Sequence, residues 1–204
     1  MSTEAKTKEK VDMDPKYIAK LTITLFVTCV IVAAALGLVN MVTAGPINAA
    51  NIEKTNAALA SVFQDAAAPE FPEMDVTGDM VSAAATFSAT VQNVYEAKDG
   101  GAVVGHAMKV VASGSQGNIE MVVGVDASGA VTGVSIVNNS ETSGIGSKVM
   151  ANENGVLDQF KGKSAADGAL TVGVNVDAIS GATVSTRGVT AGVNGALAVA
   201  GVIG

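Results

Sequence analysis

The residues best placed to do chemistry lie near the C-terminus, between Asp177 and Arg187. This segment reads Asp-Ala-Ile-Ser-Gly-Ala-Thr-Val-Ser-Thr-Arg, so small and hydroxyl-bearing residues precede the only arginine of the chain. A glycine-containing turn that leads into a helix presents free amide donors, which is an arrangement that binds phosphate. Arg187 adds a cation one helical turn after Thr183. The alternative is an ordinary helix start, capped by Ser180 or Thr183, with nothing bound.

A second candidate segment lies earlier in the chain and reads Ser-Glu-Thr-Ser-Gly-Ile-Gly-Ser-Lys from Ser140 to Lys148. It follows a predicted strand. Gly144 and Gly146 can adopt positive φ without a Cβ penalty, so the backbone can bend around a flat ligand. The alternative is a connecting loop without a ligand, since glycines accumulate in loops.

The string Asp177-x-x-Ser180-Gly181-Ala182-Thr183-x-Ser185 resembles the flavinylation motif of extracytoplasmic FMN-binding domains, and every specified position matches. In that family a flavin transferase joins FMN through its phosphate to the threonine hydroxyl. The family includes the G subunit of the Rnf electron-transport complex and the C subunit of the sodium-pumping NADH:quinone reductase. The resemblance implies that Thr183 carries covalent FMN. It also implies a cofactor-binding role for the neighbouring residues Ser180, Gly181, Ala182, Ser185 and Thr186.

The earlier segment resembles a Glu-Thr-Pro-Gly-x-Gly element that lies against the isoalloxazine ring in the same family. Ser143 stands where that element has proline. The resemblance, which covers roughly residues 90 to 200, implies that this loop contacts the flavin and that Lys148 contacts ring or ribityl oxygens. The implied flavin-contacting residues of the loop are Glu141, Thr142, Gly144, Ile145 and Gly146.

Asp177 has two interpretations: it helps to bring the transferase's metal ion or orients the loop, or it is an Asx-type cap on the turn. The single histidine, His106, lies in an apolar predicted strand and is expected to be structural. The sequence has no Walker loop, no Gly-x-Ser-x-Gly elbow and no His-Glu-x-x-His motif. We therefore predict neither a catalytic residue nor a metal site in this chain.

An apolar segment near the N-terminus is predicted to anchor the domain that carries these residues in a membrane. Leu21 to Val39 is an uncharged run of 19 residues, which as a helix can cross roughly 30 Å of hydrocarbon. Five lysines precede it, and the first basic residue after it is Lys54, so the positive-inside rule places the N-terminus in the cytoplasm. Val42-Thr43-Ala44 resembles a signal-peptidase site, but a secretory apolar region usually has only about 7 to 15 residues.

Beyond the apolar segment, alternating apolar residues and glycine-containing turns predict a β-rich section followed by helix. Pro46 is predicted to break or end the first helix. We predict an α+β fold with a mostly antiparallel sheet and flanking helices. The predicted strands are Thr86 to Ala97, Ala102 to Ala112, Asn118 to Asp126, Ala130 to Val137 and Leu170 to Val176, and the predicted helices are Asn154 to Phe160 and Thr183 to Ile203.

The predicted organisation has four parts: a cytoplasmic tail (1–17), a transmembrane helix (18–44), a helical linker (45–77) and a single extracytoplasmic FMN-binding domain (78–204). Gly188-x-x-x-Gly192 in the last helix could be a membrane dimer motif, but a polar start favours close packing on the sheet. A net charge of -7 and 3% aromatic residues argue against nucleic-acid binding.

The resemblance implies an electron-carrier subunit of a membrane-bound, ion-translocating ferredoxin:NAD oxidoreductase, with no independent substrate turnover. The implied partners are membrane subunits that contain flavin and iron-sulfur centres, and a flavin transferase for maturation. One alternative is a related redox chain such as the sodium-pumping NADH:quinone reductase. The other is a cofactor-free, membrane-anchored scaffold or pilin-like module.

Overall fold

This computed structural model describes residues 14–203, except for the side chain of Asn154. Residues 1–13, which include most of the predicted cytoplasmic tail, and Gly204 lie outside the described part. The chain divides into two compact units, Met1–Ala50 and Asn51–Gly204. Each unit is described by itself.

Within the first unit, the residues from Pro15 onward belong to a long helix, α1, which spans Pro15–Val62 and continues into the second unit. The helix is long and apolar enough to cross a membrane. Threonine hydroxyls within it donate to carbonyls one turn earlier, for example Thr24 to Lys20 at 2.8 Å and Thr28 to Thr24 at 2.8 Å. These bonds matter in hydrocarbon, where a polar group without a partner is costly.

The predicted break at Pro46 is wrong, because α1 continues through this residue. A proline ring removes one backbone hydrogen bond of a helix. Here the turns on either side of Pro46 remain helical, and the helix ends only at Val62.

The second unit is built on a single antiparallel sheet with the order β1-β3-β4-β5-β6, in which β2 also pairs with β3. The four long strands are joined by tight turns, as the sequence predicted. The strands are β1 (Pro69–Glu70), β2 (Glu73–Met74), β3 (Ala89–Asp99), β4 (Ala102–Ser113), β5 (Asn118–Asp126) and β6 (Val131–Asn139). The remaining α-helices are α2 (Gly78–Ala85), α3 (Gly146–Met150) and α4 (Thr183–Ile203).

Helices cover both faces of this sheet. On one face, β-strand residues such as Met108, Val110 and Met121 are fully buried in a core shared with α2 and α4. On the other face, the end of α1 supplies Leu59 and Val62 to a smaller core. Strand side chains alternate between the faces, so each strand contributes to both cores. The α+β class predicted from the sequence is confirmed.

Helix α4 packs unusually close to the sheet because glycines face it. A Cβ added at Gly188 would lie 2.5 Å from the carbonyl oxygen of Ser113, and one at Gly192 would lie 2.7 Å from the Met121 sulfur. Glycine is required where a backbone approaches this closely. The Gly188-x-x-x-Gly192 pattern therefore serves packing on the sheet, as expected.

Three features differ from the expectations. Leu170 to Val176 is not a strand, because Gly173 has a φ of 87° and the chain turns there. The predicted helix from Asn154 to Phe160 is replaced by two short 3-10 helices, Glu153–Gly155 and Asp158–Phe160. The first of them ends at Gly155, whose φ is 69°. The compact unit begins at Asn51, so the predicted linker contributes β1, β2 and the end of α1 to the domain.

Candidate functional site

The segment that carries Thr183 begins with a tight turn. The amide of Ala182 donates to the carbonyl of Ile179 at 2.9 Å. Gly181, the third residue of this turn, has a φ of 82°, as a type II turn requires, and glycine adopts that angle without a steric penalty. The turn leads directly into α4, whose first residue is Thr183.

The first turn of α4 presents amide donors that the chain itself does not use. The first bond of the helix runs from the Thr186 amide to the Ala182 carbonyl at 2.9 Å, which makes Ala182 the N-cap residue, and its methyl group cannot accept a hydrogen bond. In the described part of the chain, no group accepts a hydrogen bond from the amides of Thr183, Val184 or Ser185. Free amides and the helix dipole together favour an anion beside Thr183.

The loop from Ser140 to Lys148 uses its two glycines for different reasons. Gly144 has a φ of 111°, in the region that favours glycine. Gly146 is buried at the start of α3 and has a helical backbone conformation. It therefore does not use the positive φ that the sequence allowed for it. Instead, a Cβ on Gly146 would collide with the Glu141 carboxylate.

The structure brings the two predicted segments into contact at two points. Ser185 donates its hydroxyl to Oε2 of Glu141 at 2.5 Å. A Cβ placed on Gly181 would lie 3.3 Å from Cγ2 of Ile145, so the Ile145 side chain lies over the turn that precedes Thr183. Residues separated by about forty positions in the chain therefore meet at the start of α4, where Thr183 is partly buried.

Some predicted site residues face the interior or use their polar groups within the protein. Thr186 is fully buried and donates its hydroxyl to the Ala182 carbonyl at 3.1 Å. Ala182 and Ser185 are each 2% exposed. Thr142 and Gly144, in contrast, are exposed on the loop. Their cofactor-binding roles stay predictions.

A cleft of about 490 Å³ lies beside the turn that precedes Thr183, within the usual size range of ligand sites. Three predicted residues, Lys148, Asp177 and Ser180, line it. None of the lining side chains carries an aromatic ring. The Lys148 ammonium pairs with Glu153 at 3.3 Å across a largely exposed contact, so this cation is held at the edge of the cleft.

Gln159, which no motif in the sequence indicated, also lines this cleft. Its side-chain oxygen accepts from the Asp177 amide at 2.7 Å, and its side-chain nitrogen donates to the Asp177 carbonyl at 2.9 Å. These two bonds fix the backbone of Asp177 while its carboxylate stays exposed. No local pattern in the sequence marks a lone glutamine as the partner of a backbone 18 positions away.

The segment that carries Gln159 is itself held by polar contacts. The Asn152 side chain donates to Asp158 at 2.9 Å and accepts from the Leu157 amide at 2.6 Å. The hydrogen bond from Asn152, assisted by Lys161, lowers the pKa of Asp158 below its usual value. Asp158 is therefore a carboxylate at neutral pH, and it helps to fix the wall of the cleft.

Away from the site, burial in the sheet lowers the pKa of His106, and the facing carboxylate of Glu96 opposes this shift in part. A histidine with a depressed pKa is neutral at neutral pH. His106 pairs with Glu96 across β3 and β4, far along the chain from either predicted segment. This position agrees with the structural role expected for it.

A turn, an uncapped helix start and an adjoining cleft, on a domain that follows an apolar helix, define a candidate nucleotide-binding site. The sequence model of the FMN-binding domain matches residues 114–198, a range that includes both predicted segments. The protein is thus of the FMN-binding class, as the resemblance indicated.

Relatives define the family more closely. Over 197 residues the chain is 37% identical to the G subunit of the Na(+)-translocating ferredoxin:NAD(+) oxidoreductase complex of Acetobacterium woodii, covering 92% of this chain and 94% of the relative. It is 32% identical over 179 residues to the G subunit of an ion-translocating oxidoreductase complex of Methanosarcina acetivorans, covering 86% and 90%. The chain belongs to the family of G subunits of ion-translocating oxidoreductase complexes.

Among solved structures, the crystal structure of Shewanella oneidensis NqrC has 22% identity and a TM-score of 0.43, with 60% of this chain and 62% of that chain covered. Membership of the G-subunit family favours the first of the two redox interpretations made from the sequence. The FMN-binding match argues against the cofactor-free scaffold. The chain is a redox subunit of a translocase. Within residues 14–203, one helix is long and apolar enough for a single membrane span.

Proposed function

We propose that this chain is the flavin-carrying subunit of a membrane-bound ferredoxin:NAD oxidoreductase that moves ions, and that its FMN is attached to Thr183 through a phosphoester. The main observation in support of this proposal is that Thr183 is the first residue of an uncapped helix of 21 residues. Its hydroxyl stands beside free amides that suit a phosphate. Family membership and the FMN-binding match support the same proposal.

The residues of the site have distinct tasks in this proposal. The amides of Thr183, Val184 and Ser185 face the ester's negative charge, which the helix dipole also stabilises. The cleft lined by Lys148, Asp177 and Ser180 accepts the rest of the cofactor. FMN, when bound, supplies the electron-carrying chemistry. The protein holds it in place, because a domain outside the cytoplasm cannot replace a cofactor lost by dissociation.

Attachment requires another enzyme. A threonine hydroxyl is a weak nucleophile at neutral pH unless a base activates it. In the part of the chain that the structure describes, Thr183 Oγ1 makes no hydrogen bond to a histidine or carboxylate. We infer that a flavin transferase supplies the base and an activated flavin nucleotide. The attachment would form a bond between Thr183 Oγ1 and the FMN phosphorus while the donor's phosphoanhydride bond to that phosphorus breaks. The other phosphate part of the donor would leave, and the transferase's base would take the hydroxyl proton.

The distribution of charge on either side of the apolar stretch Leu21 to Val39 within α1 supports an orientation. Lysines cluster before the apolar stretch, at positions 6, 8, 10, 16 and 20, and the next basic residue is Lys54. The positive-inside rule then places the N-terminus in the cytoplasm and the FMN domain outside it. We propose that the domain exchanges electrons there with other flavin- and iron-sulfur-containing subunits of the complex.

The test is a pair of matched substitutions on α4 in a host that also produces the transferase. Thr183→Val removes the hydroxyl, and we expect complete loss of flavin fluorescence from the denatured band and of the corresponding added mass. Thr186→Val makes the same chemical change at a hydroxyl that points into the helix, and we expect it to keep the flavin. A flavin that remains covalently attached in Thr183→Val contradicts the proposal.

A further inference from the structure

We propose that Glu141 is a positioning residue of the flavin site, which joins three separate segments of the chain so that the loop Ser140 to Lys148 is fixed relative to Thr183. This inference rests on the proposed attachment of FMN at Thr183. It differs from the expectation that Glu141 lies against the flavin ring. The structure instead directs the Glu141 carboxylate into the protein, where other parts of the chain use both of its oxygens.

The carboxylate contacts two segments, and the loop that carries Glu141 is the third. Oε1 accepts from the amide of Ser115 at 2.7 Å and from that of Gln116 at 3.2 Å, in the turn between β4 and β5. Oε2 accepts from the hydroxyl of Ser185 in the first turn of α4 at 2.5 Å. A carboxylate only accepts hydrogen bonds, and these partners are all donors. Each hydrogen bond of the carboxylate therefore joins one of its acceptor oxygens to a donor group.

Packing around the carboxylate leaves it little freedom. A Cβ on Gly114 would collide with Oε1 of Glu141, and a Cβ on Gly146 would collide with Oε2. A Cβ on Gly146 would also lie 3.1 Å from the Ser185 hydroxyl. Two glycines from different segments thus leave room for one carboxylate. A side chain held by packing and by several hydrogen bonds is a well-placed support for a binding site.

The contacts of Glu141 affect the surroundings of Thr183 through Ser185 and Ile145. Ser185 lies two residues after Thr183 in the same helical turn, and Glu141 begins the loop that carries Ile145. Ile145 in turn lies over the turn at Gly181. If the Glu141 bonds are lost, the loop and the helix start can move independently. The protein surface around the attached flavin then loses its fixed shape, although the attachment hydroxyl is unaffected.

The test compares Glu141→Ala with Glu141→Gln in the full-length chain, first without flavin. We measure hydrogen exchange at the amides of Ser115 and Gln116. In Glu141→Ala we expect exchange to be roughly tenfold faster, which corresponds to about 1.4 kcal/mol and to the loss of an ordinary hydrogen bond. Ser185→Ala should give a smaller increase, because it removes only one of the bonds of the carboxylate.

Glu141→Gln separates positioning from charge. The glutamine oxygen can still accept from the two amides, and its nitrogen can donate to the Ser185 hydroxyl, which can accept as well as donate. We therefore expect exchange within about threefold of the wild-type rate, since the bonds that position the loop remain. Glu53→Ala, at an exposed position of α1, is the matched control and should leave exchange unchanged.

The same variants are then compared with flavin attached. In Glu141→Ala we expect the added mass at Thr183 to persist while iodide quenches the flavin fluorescence more efficiently than in wild type, and Glu141→Gln should resemble wild type. Unchanged exchange and quenching in Glu141→Ala would overturn the positioning role, as would a Glu141→Gln variant as severely affected as Glu141→Ala. A wild-type chain without the flavin mass would instead overturn the proposed function, and the exchange measurement distinguishes the two failures.

Discussion

The segment from Asp177 to Thr186 contains two groups of residues with opposite surroundings. Asp177, Ser180 and Gly181 are exposed, and Thr183 is partly exposed. Ala182, Ser185 and Thr186 alternate with them along the chain but are almost completely buried. The exposed group can be reached by a nucleotide or by another protein. The side chains of the buried group contact only this chain, through the helix and through Glu141.

This difference shows that a matching sequence motif can combine two kinds of requirement. The exposed positions are required for chemistry and recognition, so substitutions there should change flavin attachment without changing stability. The buried positions are required for local folding, so substitutions there should act through the structure. The following predictions test this division, and they are ordered by the free energy that we expect to change.

A substitution on the buried face of α4 should change the free energy of unfolding the most. Gly188→Ala places a Cβ 2.5 Å from the Ser113 carbonyl oxygen, so backbone must move, and we expect a loss of about 3 kcal/mol in the free energy of unfolding. Gly201→Ala on the same helix has open space around its Cβ and should be neutral or stabilise by up to about 1 kcal/mol. Urea unfolding measures both, and equal stabilities would contradict the close packing of α4.

Substitution of Gln159 should give the second-largest effect, because its side chain holds the backbone of the exposed residue Asp177. Gln159→Leu removes both bonds to the Asp177 backbone, and we expect a loss of about 2 kcal/mol in the free energy of unfolding, together with slower flavin attachment. Gln64→Leu changes an exposed glutamine and should stay within about 0.5 kcal/mol of wild type. If Gln159→Leu attaches flavin at the wild-type rate, the backbone of Asp177 needs no such support.

Asp177 tests the exposed group directly. Its carboxylate is exposed at the cleft, so Asp177→Asn should leave thermal unfolding unchanged. We expect attachment by the transferase to slow roughly tenfold, which is about 1.4 kcal/mol in the barrier. Asp75→Asn is an exposed control that should change neither quantity. An Asp177→Asn chain that is destabilised but modified at the normal rate would assign Asp177 to the structural group.

Much of the fold could be predicted from the sequence because its signals are local. Alternating apolar residues located β3 to β6 to within a few residues, and short glycine-containing turns made their antiparallel pairing the natural expectation. The short strands β1 and β2 have only two residues each, too few to show any alternation. Their place in the sheet depends on pairing with β3, which the sequence does not reveal.

The candidate site was predicted as two segments, and the structure brings these segments into contact, but the direction of individual side chains was not predictable. Ser115 lies 26 positions before Glu141, and Ser185 lies 44 positions after it. Such contacts depend on how β4, β5 and α4 are arranged in three dimensions. The strand predicted from Leu170 to Val176 failed for a local reason, since Gly173 at positive φ turns a stretch whose valines alternate well.

The cleft beside Thr183 has no aromatic lining, and the whole chain has no tryptophan and only two tyrosines. Indole and phenol groups next to a photoexcited isoalloxazine quench its emission by electron transfer. A flavin held on this scaffold should therefore remain bright in the folded protein. The protein could then be followed by its own green emission in intact membranes, without any added label.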